Sequence, residues 1–408
     1  MKKILFVSSA FCGGGVTTYA REVIACYAAE CQMDIMFRGC TDQHLEGIHR
    51  AYDYDCTNLN VSNAQRVCNL INNEIKPDAI IISNAPLVML LSPFLKNDIK
   101  VISVSHSLRN KEATNAALTH RFIDSIVALS EAGQKYLQHA YGIPIRKLPI
   151  IYNFVREHPQ RKSLIKEKIH QRPLLIVFPG SCSAVKSPDI VLAILQKLVT
   201  TDWNFAFKWI GGLNPTQKSW FTVHDVSKLV PVDERVQFLG RVPHDIFAEI
   251  VSQANIVLSP SRREGCPMVL LEAMRVGCIT LVADYDVANK ELVKNGVSGF
   301  VIAHNDIDHF VSLIGDIVKH PESYLDYYDA SFRTFQEELS FVAWKRKMDA
   351  VITDNTRYHE RRKEHFNQFL YRCWVAWFMI SRQWDNFYRY AFEKIPTLYK
   401  INKLRHNL

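Results

Sequence analysis

The segment Ser259-Pro260-Ser261-Arg262-Arg263-Glu264-Gly265-Cys266-Pro267-Met268-Val269-Leu270-Leu271-Glu272-Ala273-Met274 gathers the residue types that can do chemistry. The apolar run Ile256–Leu258 before it reads as a strand and the Pro/Ser/Gly stretch as a loop. A helix is expected to begin near Pro267, where a missing N–H costs nothing. Free backbone N–H groups at such a start form an anion site. Glu264 then lies just before the helix and Glu272 about two turns into it. One carboxylate can reach sugar hydroxyls while the other accepts hydrogen bonds from a ribose. The same pair also suits a plain capped helix in which Glu264 complements the dipole.

A second loop, Phe178-Pro179-Gly180-Ser181-Cys182-Ser183-Ala184-Val185-Lys186-Ser187, follows a buried strand and precedes a helix. Lys186 is a compact donor for phosphate oxygens, and a cation there stabilises the charge on a departing diphosphate. A solvated lysine at a helix end reads the same way. Cys12-Gly13-Gly14-Gly15-Val16-Thr17-Thr18 links the first strand to the first helix, and its glycines let backbone approach a ligand closely. It is neither G-x-G-x-x-G nor a loop with G-K-[ST], so nicotinamide and P-loop nucleotide binding find no support. His106, in Val104-Ser105-His106-Ser107, sits where a buried strand ends. Asp53-Tyr54-Asp55 and Asp284-Tyr285-Asp286 could hold a divalent metal. Both read more readily as acidic turns, and no metal or other cofactor is expected.

The elements that position these loops form a regular series. Strands are expected at Ile4–Ser8, Ala79–Ser83, Val101–Val104, Ser125–Ala128, Leu174–Phe178, Phe205–Ile210, Val236–Phe238, Ile256–Leu258 and Ile279–Val282. Helical patterns fall between many of them, at Thr18–Glu30, Asp189–Val199, His244–Gln253 and Met268–Val276. Such alternation marks βαβ units in an α/β fold, and continuously apolar strands imply parallel sheets covered on both faces. The polar, basic stretch His158–Arg172 separates two Rossmann-like lobes, 1–157 and 173–350. In such sheets a ligand binds at the carboxyl ends of the strands.

Composition narrows the class. The 408 residues exceed one ordinary core, and 48% hydrophobic with 22% charged is a globular balance. The opening MKKILFVSSAF lacks a small-residue cleavage site and reads as a buried strand rather than a signal peptide. No apolar stretch approaches the ~18 residues needed to span a bilayer. Ten scattered cysteines without Cys-x-x-Cys pairs suit a reducing cytoplasm. Of the net charge of +8, Arg357–Leu408 supplies most, with eleven Lys/Arg against four Asp/Glu, so nucleic-acid binding by the whole chain is not supported.

Taken together, Glu-x7-Glu with Gly after the first Glu and Glu-Ala-Met at the end resembles the donor-binding motif of family 4 glycosyltransferases. Val276-Gly277-Cys278-Ile279-Thr280-Leu281, Glu291-Leu292-Val293 and Asn295-Gly296-Val297-Ser298-Gly299-Phe300 extend the likeness, which covers roughly residues 1–350. The resemblance implies a GT-B fold, with two Rossmann-like lobes, an interlobe cleft and C-terminal helices crossing back to the N-lobe. It implies a retaining transferase using a nucleoside diphosphate sugar. The N-lobe would hold a carbohydrate or lipid-linked sugar acceptor, as in bacterial surface polysaccharide or lipopolysaccharide assembly.

Residue by residue, Glu264 would bind hydroxyls of the donor sugar, helped by backbone N–H groups in the stretch Gly265 to Met268; Gly265, Cys266, Pro267, Met268 and Val269 would all line the donor, and Glu272 would bind the ribose. Lys186 matches the family's diphosphate lysine, beside Gly180. Ser181 stands where the family carries arginine, a gap that Arg262 or Arg263 could fill. Gly14 and Gly15 would close over the diphosphate, and His106 would orient donor or acceptor. Ser130-Glu131 and Tyr152-Asn153 match recurring, mainly structural positions. A sugar-nucleotide epimerase or a non-catalytic sugar-nucleotide-binding protein would share the fold.

In the tail 357–408, Phe366, Leu370, Trp374, Trp377, Trp384, Tyr388 and Phe392 fall on one helical face, with Arg361, Arg372, Arg382 and Arg389 roughly opposite. That pattern suits packing on the N-lobe, an anionic membrane surface, or both, and places the protein in the cytoplasm or on the inner face of the plasma membrane.

Overall fold

The computed structural model describes residues 2–10, 15–38, 47–55, 57–106, 119–156, 168, 171–211, 233–262, 264–284, 287–356, 358–360 and 362–380. The chain divides into two compact units, one of Met1–Leu129, Gly133–Ile150 and Ala350–Leu408, the other of Ser130–Ala132 and Ile151–Asp349.

The first unit is built on β1 (Lys3–Ala10), β2 (Gln32–Arg38), β3 (Arg50–Asp53), β4 (Ala79–Ser83), β5 (Lys100–Ser105) and β6 (Ser125–Ala128). Their order across the sheet is β3-β2-β1-β4-β5-β6, and every pairing is parallel. The opening segment is indeed a buried strand, with Ile4, Leu5, Phe6 and Val7 closed off from solvent. Helices α1 (Gly15–Ala28), α2 (Val61–Asn69), α3 (Pro86–Leu91) and α4 (Glu131–Tyr141) follow in chain order.

The second unit repeats the plan with β7 (Leu174–Pro179), β8 (Phe205–Ile210), β9 (Val236–Gly240), β10 (Ile256–Ser259), β11 (Ile279–Ala283) and β12 (Gly299–Ile302), ordered β12-β11-β10-β7-β8-β9 and again parallel. Its helices are α5 (Pro188–Leu198), α6 (His244–Gln253), α7 (Met268–Arg275), α8 (Val287–Leu292), α9 (Ile307–Lys319), α10 (Leu325–Thr334) and α11 (Phe341–Thr353). Numbered from its own first strand, each sheet has the doubly wound order 3-2-1-4-5-6. Chain direction across the sheet reverses between β1 and β4, and again between β7 and β10. The carboxyl ends of strands at such a reversal are where ligands bind in open α/β sheets.

Strands β2, β3 and β12 were not among those expected from the sequence. β2 escapes an apolar-run reading because Asp34 interrupts it. That carboxylate is fully buried, 2.9 Å from His49 Nδ1 and 3.4 Å from Lys3 Nζ, which offsets its desolvation.

The C-terminal segment returns to the first unit, as expected. Lys100 Nζ donates to the carbonyls of Asp354 (2.7 Å) and Thr356 (3.3 Å). Arg362, buried with Asp124, donates to that carboxylate at 3.0 Å and to the carbonyls of Phe122, Lys96 and Ile99. Residues 368–380 are helical, and Tyr371 and Phe378 are buried in the same core as β1, β4 and β5. Phe366, Leu370 and Trp374, expected on the apolar face, pack against that core. Trp377 does not, and half of its surface stays exposed. Trp384, Tyr388, Phe392, Arg361, Arg382 and Arg389 lie outside the described residues.

Candidate functional site

In the second unit β7 and β10 are adjacent and parallel, with Ile176 opposite Ile256 and Val177 opposite Val257. Their carboxyl ends therefore release neighbouring loops, one carrying Gly180 to Lys186 and the other carrying Pro260 to Pro267. Packing fixes the first loop at its root. The Trp209 indole, edge-on to Phe178 at 4.8 Å, donates from Nε1 to the Gly180 carbonyl at 3.0 Å. Gly211 lies directly beneath, and a Cβ there would sit 2.3 Å from that same carbonyl oxygen.

Further along, Ala184–Lys186 forms a 3-10 turn, and Ser187 takes a left-handed conformation (φ +53°) before Pro188 opens α5. The second loop is stitched at two points to the first loop and at one to the helix after it. Arg262 N–H donates to the Val185 carbonyl at 2.7 Å. The Arg262 guanidinium grips the Asp189 carboxylate through both terminal nitrogens, at 2.9 and 2.5 Å. Lys186 Nζ meets Glu264 Oε1 at 2.5 Å, with both side chains mostly shielded from solvent. The two residues singled out for diphosphate and sugar are thus brought together across 78 positions of sequence.

Pro267 is the residue immediately before α7, and Glu272 falls inside the helix, buried, with Oε1 accepting from the His244 ring at 2.9 Å. Met268 and Cys266 are buried beside it. Asn153 fastens Cys266 by donating from its backbone N–H to Sγ (3.3 Å) and from Nδ2 to the carbonyl (2.8 Å). Burial lifts the Cys266 thiol to about 12, so it stays protonated and is not a nucleophile. Ser181 Oγ donates to Ser183 Oγ at 3.2 Å. Arg262, one of two arginines offered for the Ser181 gap, is committed to Asp189. The other, Arg263, lies outside the described residues.

Sequence spacing did not point to His244, Asp189 or the role of Glu291. Glu291 accepts the backbone N–H groups of Glu131 (2.6 Å) and Ala132 (2.9 Å) and lies 3.3 Å from the Tyr152 hydroxyl, which donates to it. Burial raises its carboxyl above the usual range. The available signals were Asp189, an acid in the first turn of a helix opened by proline, and the Glu291-Leu292-Val293 segment, which marked the family but not the partners of Glu291.

In the first unit His106 follows β5, and its Nε2 is hydrogen-bonded to Ser83 Oγ at the end of β4, at 2.8 Å. Tyr19 of α1 meets the ring edge-on at 5.0 Å. Desolvation lowers His106 to about 4, leaving it neutral at physiological pH. Gly15 is the first residue of α1, and Gly14 lies outside the described residues.

Of the acidic triplets, Asp53 ends β3, and Asp55 accepts from Thr57 N–H (2.9 Å) and Oγ1 (2.5 Å), contacts that hold its carboxyl below the usual range. Asp284 pairs with Lys290, while Tyr285 and Asp286 lie outside the described residues. Among the described residues no three or more His, Cys, Asp or Glu side chains gather as a metal site.

Comparison with known proteins places this geometry. Residues 160–333 match the family Glycosyl transferases group 1, and residues 13–158 match Glycosyltransferase Family 4. An uncharacterized glycosyltransferase of Haemophilus influenzae is 26% identical over 210 residues, 51% of this chain and 55% of that protein. The chain therefore spans about half the length of that relative. The lipopolysaccharide 1,6-galactosyltransferase of Escherichia coli K12 is 23% identical over 334 residues, 78% of this chain and 89% of that protein. The solved structure of Anabaena HepE in complex with UDP-glucose superposes with a TM-score of 0.68 at 17% identity, covering 86% of this chain and 99% of HepE. The two-domain α/β fold is that of the GT-B glycosyltransferases.

Proposed function

This chain belongs to the glycosyltransferases, matched by family 4 in its N-terminal part and by group 1 in its C-terminal part, and we propose that it transfers a glycosyl unit from a nucleoside diphosphate sugar to an acceptor hydroxyl with retention of configuration. The observation that carries the reading is the 2.5 Å pair of Lys186 and Glu264, held at the reversal point of the second sheet.

Donor diphosphate competes with Glu264 for the Lys186 ammonium, and the carboxylate so released accepts from hydroxyls of the donor sugar. Lys186 then stabilises charge on the departing diphosphate, the step at which electrostatic help is worth most. Glu272, oriented by His244, accepts from the ribose hydroxyls. The N–H groups of Gly265, Cys266, Met268 and Val269 line the sugar, with Gly180 and Ser181 beside the diphosphate. For the first unit the resemblance assigns Gly14, Gly15 and the neutral His106 to donor or acceptor binding as well. The reaction so written needs no metal. HepE's UDP-glucose complex makes UDP-hexoses the first donors to try. The galactosyltransferase relative supports an acceptor in bacterial lipopolysaccharide or surface polysaccharide, with the protein working on the cytoplasmic side.

The test is a panel of UDP-, GDP- and ADP-sugars with membrane extract, followed by the anomeric coupling of the product by NMR. The same anomer in donor and product supports the proposal; the opposite anomer removes retention from it. Ser181 in the arginine position favours one second reading, a protein that binds sugar nucleotide without turning it over. Stoichiometric binding with no product from any donor would select that reading.

A further inference from the structure

At the carboxyl edge of the first sheet, β4 and β5 lie side by side and parallel, with Ser83 opposite Val104. Ser83 is the last residue of β4 and is fully buried, while His106 is the first residue past the end of β5. The chain leaves β4 abruptly. Asn84 takes a left-handed conformation at φ +53°, which asparagine tolerates better than most residues, and Pro86 opens α3. The bend keeps Ser83 at the rim of the strand, where its Oγ lies 2.8 Å from His106 Nε2. Backbone held in so sparsely populated a region recurs where a fold fixes a functional group. Tyr19 of α1 packs on the imidazole at 5.0 Å and holds the ring from a second side.

The bond between serine and histidine can run in only one direction without leaving a buried hydrogen unpaired. Among the described residues the imidazole is the one hydrogen-bond partner of Ser83 Oγ. Were Nε2 to carry the proton and donate it, the serine O–H would be buried with no acceptor, which costs more than the bond returns. With Oγ–H donating to the Nε2 lone pair, both groups are satisfied. Burial lowers His106 to about 4, so the neutral ring carries a single N–H. That hydrogen then sits on Nδ1, to which no described residue is hydrogen-bonded.

We propose that Ser83 is a positioning residue that locks His106 in its Nδ1–H tautomer, so that the ring serves as a hydrogen-bond donor to an oxygen of the sugar substrate and not as a base toward the acceptor hydroxyl. The Nε2 lone pair is occupied by the serine, and Nδ1–H can only give. The substrate named here rests on the glycosyl-transfer reading; the tautomer does not.

The experiment is NMR of the full chain with isotopically labelled histidine nitrogens, the His106 resonances being those lost in His106→Gln. At neutral pH wild type should show Nδ1 protonated and Nε2 bare. In Ser83→Ala the ring loses its donor and should relax to a mixture of tautomers, while Ser83→Thr, which keeps the hydroxyl, should restore the wild-type spectrum. With the donor that the sugar-nucleotide panel identifies, Ser83→Ala should lower kcat/KM by ~10-fold, as for one mis-set neutral hydrogen bond, and Ser83→Thr should recover most of it. Circular dichroism checks that both variants are folded. The proposal is overturned if wild type carries its proton on Nε2, if Ser83→Ala leaves the tautomer unchanged, or if the tautomer changes and kcat/KM does not. Absence of turnover from every donor would overturn the substrate named here, while the resonances decide the tautomer on their own.

Discussion

Next to Lys186, which meets Glu264, stands a residue in a conformation that its type rarely adopts. Ser187 sits at φ +53° next to Lys186, fully buried, and its hydroxyl finds no hydrogen-bond partner among the described residues. The left-handed region costs a non-glycine residue about 1–2 kcal/mol, and glycine is the usual occupant. Ser187→Gly should therefore stabilise the second unit by ~1 kcal/mol, read as a higher urea midpoint; a loss of stability would show that the hydroxyl is held. At His106 the folded form resists protonation, with its value lowered from 6.5 to about 4. Between those pH values the unfolded chain binds the extra proton, so this contribution is complete above pH 6.5 and is lost as pH falls toward 4. Because the ring keeps a partly exposed edge, we expect ~2 kcal/mol rather than the full shift. His106→Gln should flatten the unfolding free energy across that interval, and an unchanged slope would remove His106 as its source.

Among the elements, what could be read in advance follows from burial. β4, β6, β8 and α6 coincide with the expected spans residue for residue, because each strand is an apolar run and α6 repeats every three to four positions. β3 was invisible because Arg50–Asp53 is a largely exposed edge strand with no apolar pattern, and β12 because it opens on Gly299, inside the stretch Asn295–Phe300 that reads as a glycine-containing turn. The site divides in the same way. Glu264, Glu272 and Lys186 are singled out by the resemblance of their two loops to the family's motifs, since their spacing alone also suits a capped helix and a solvated lysine. His244 and Asp189 reach their partners across 28 and 73 residues, and only the sheet order brings them there. The strand ends themselves are fixed by close packing. Gly211→Ala would drive a Cβ to 2.3 Å from the Gly180 carbonyl and should destabilise the second unit by about 2 kcal/mol or more. Donor binding should fall with it, and full retention of both would show that β7 and β8 are free to part.

At the scale of the molecule, two copies of one sheet order are joined in a chain whose last described part goes back to the first. Arg362 is the clasp of that return, a buried cation whose donors are taken up by Asp124 and three carbonyls. Removing one partner of a buried pair leaves the other charge uncompensated, at a cost of about 3–5 kcal/mol. Arg362→Ala should show that loss in urea unfolding, and Arg362→Met with Asp124→Asn should recover part of it. Equal stabilities for wild type and Arg362→Ala would mean that the tail adds nothing to the first unit. That return path is legible in the sequence only as a helical pattern, since the same amphipathic repeat serves a protein core and a lipid surface alike.

The claim on which the functional account rests is that Lys186 and Glu264 act on a nucleoside diphosphate sugar. The most direct measurement is acceptor-dependent release of nucleoside diphosphate from the donor that the panel identifies, compared among wild type, Lys186→Ala and Glu264→Gln. Each substitution should lower kcat by ~10²-fold or more, with the folded structure intact by circular dichroism. Release by either variant at the wild-type rate would contradict the assignment and move the chemistry elsewhere in the chain.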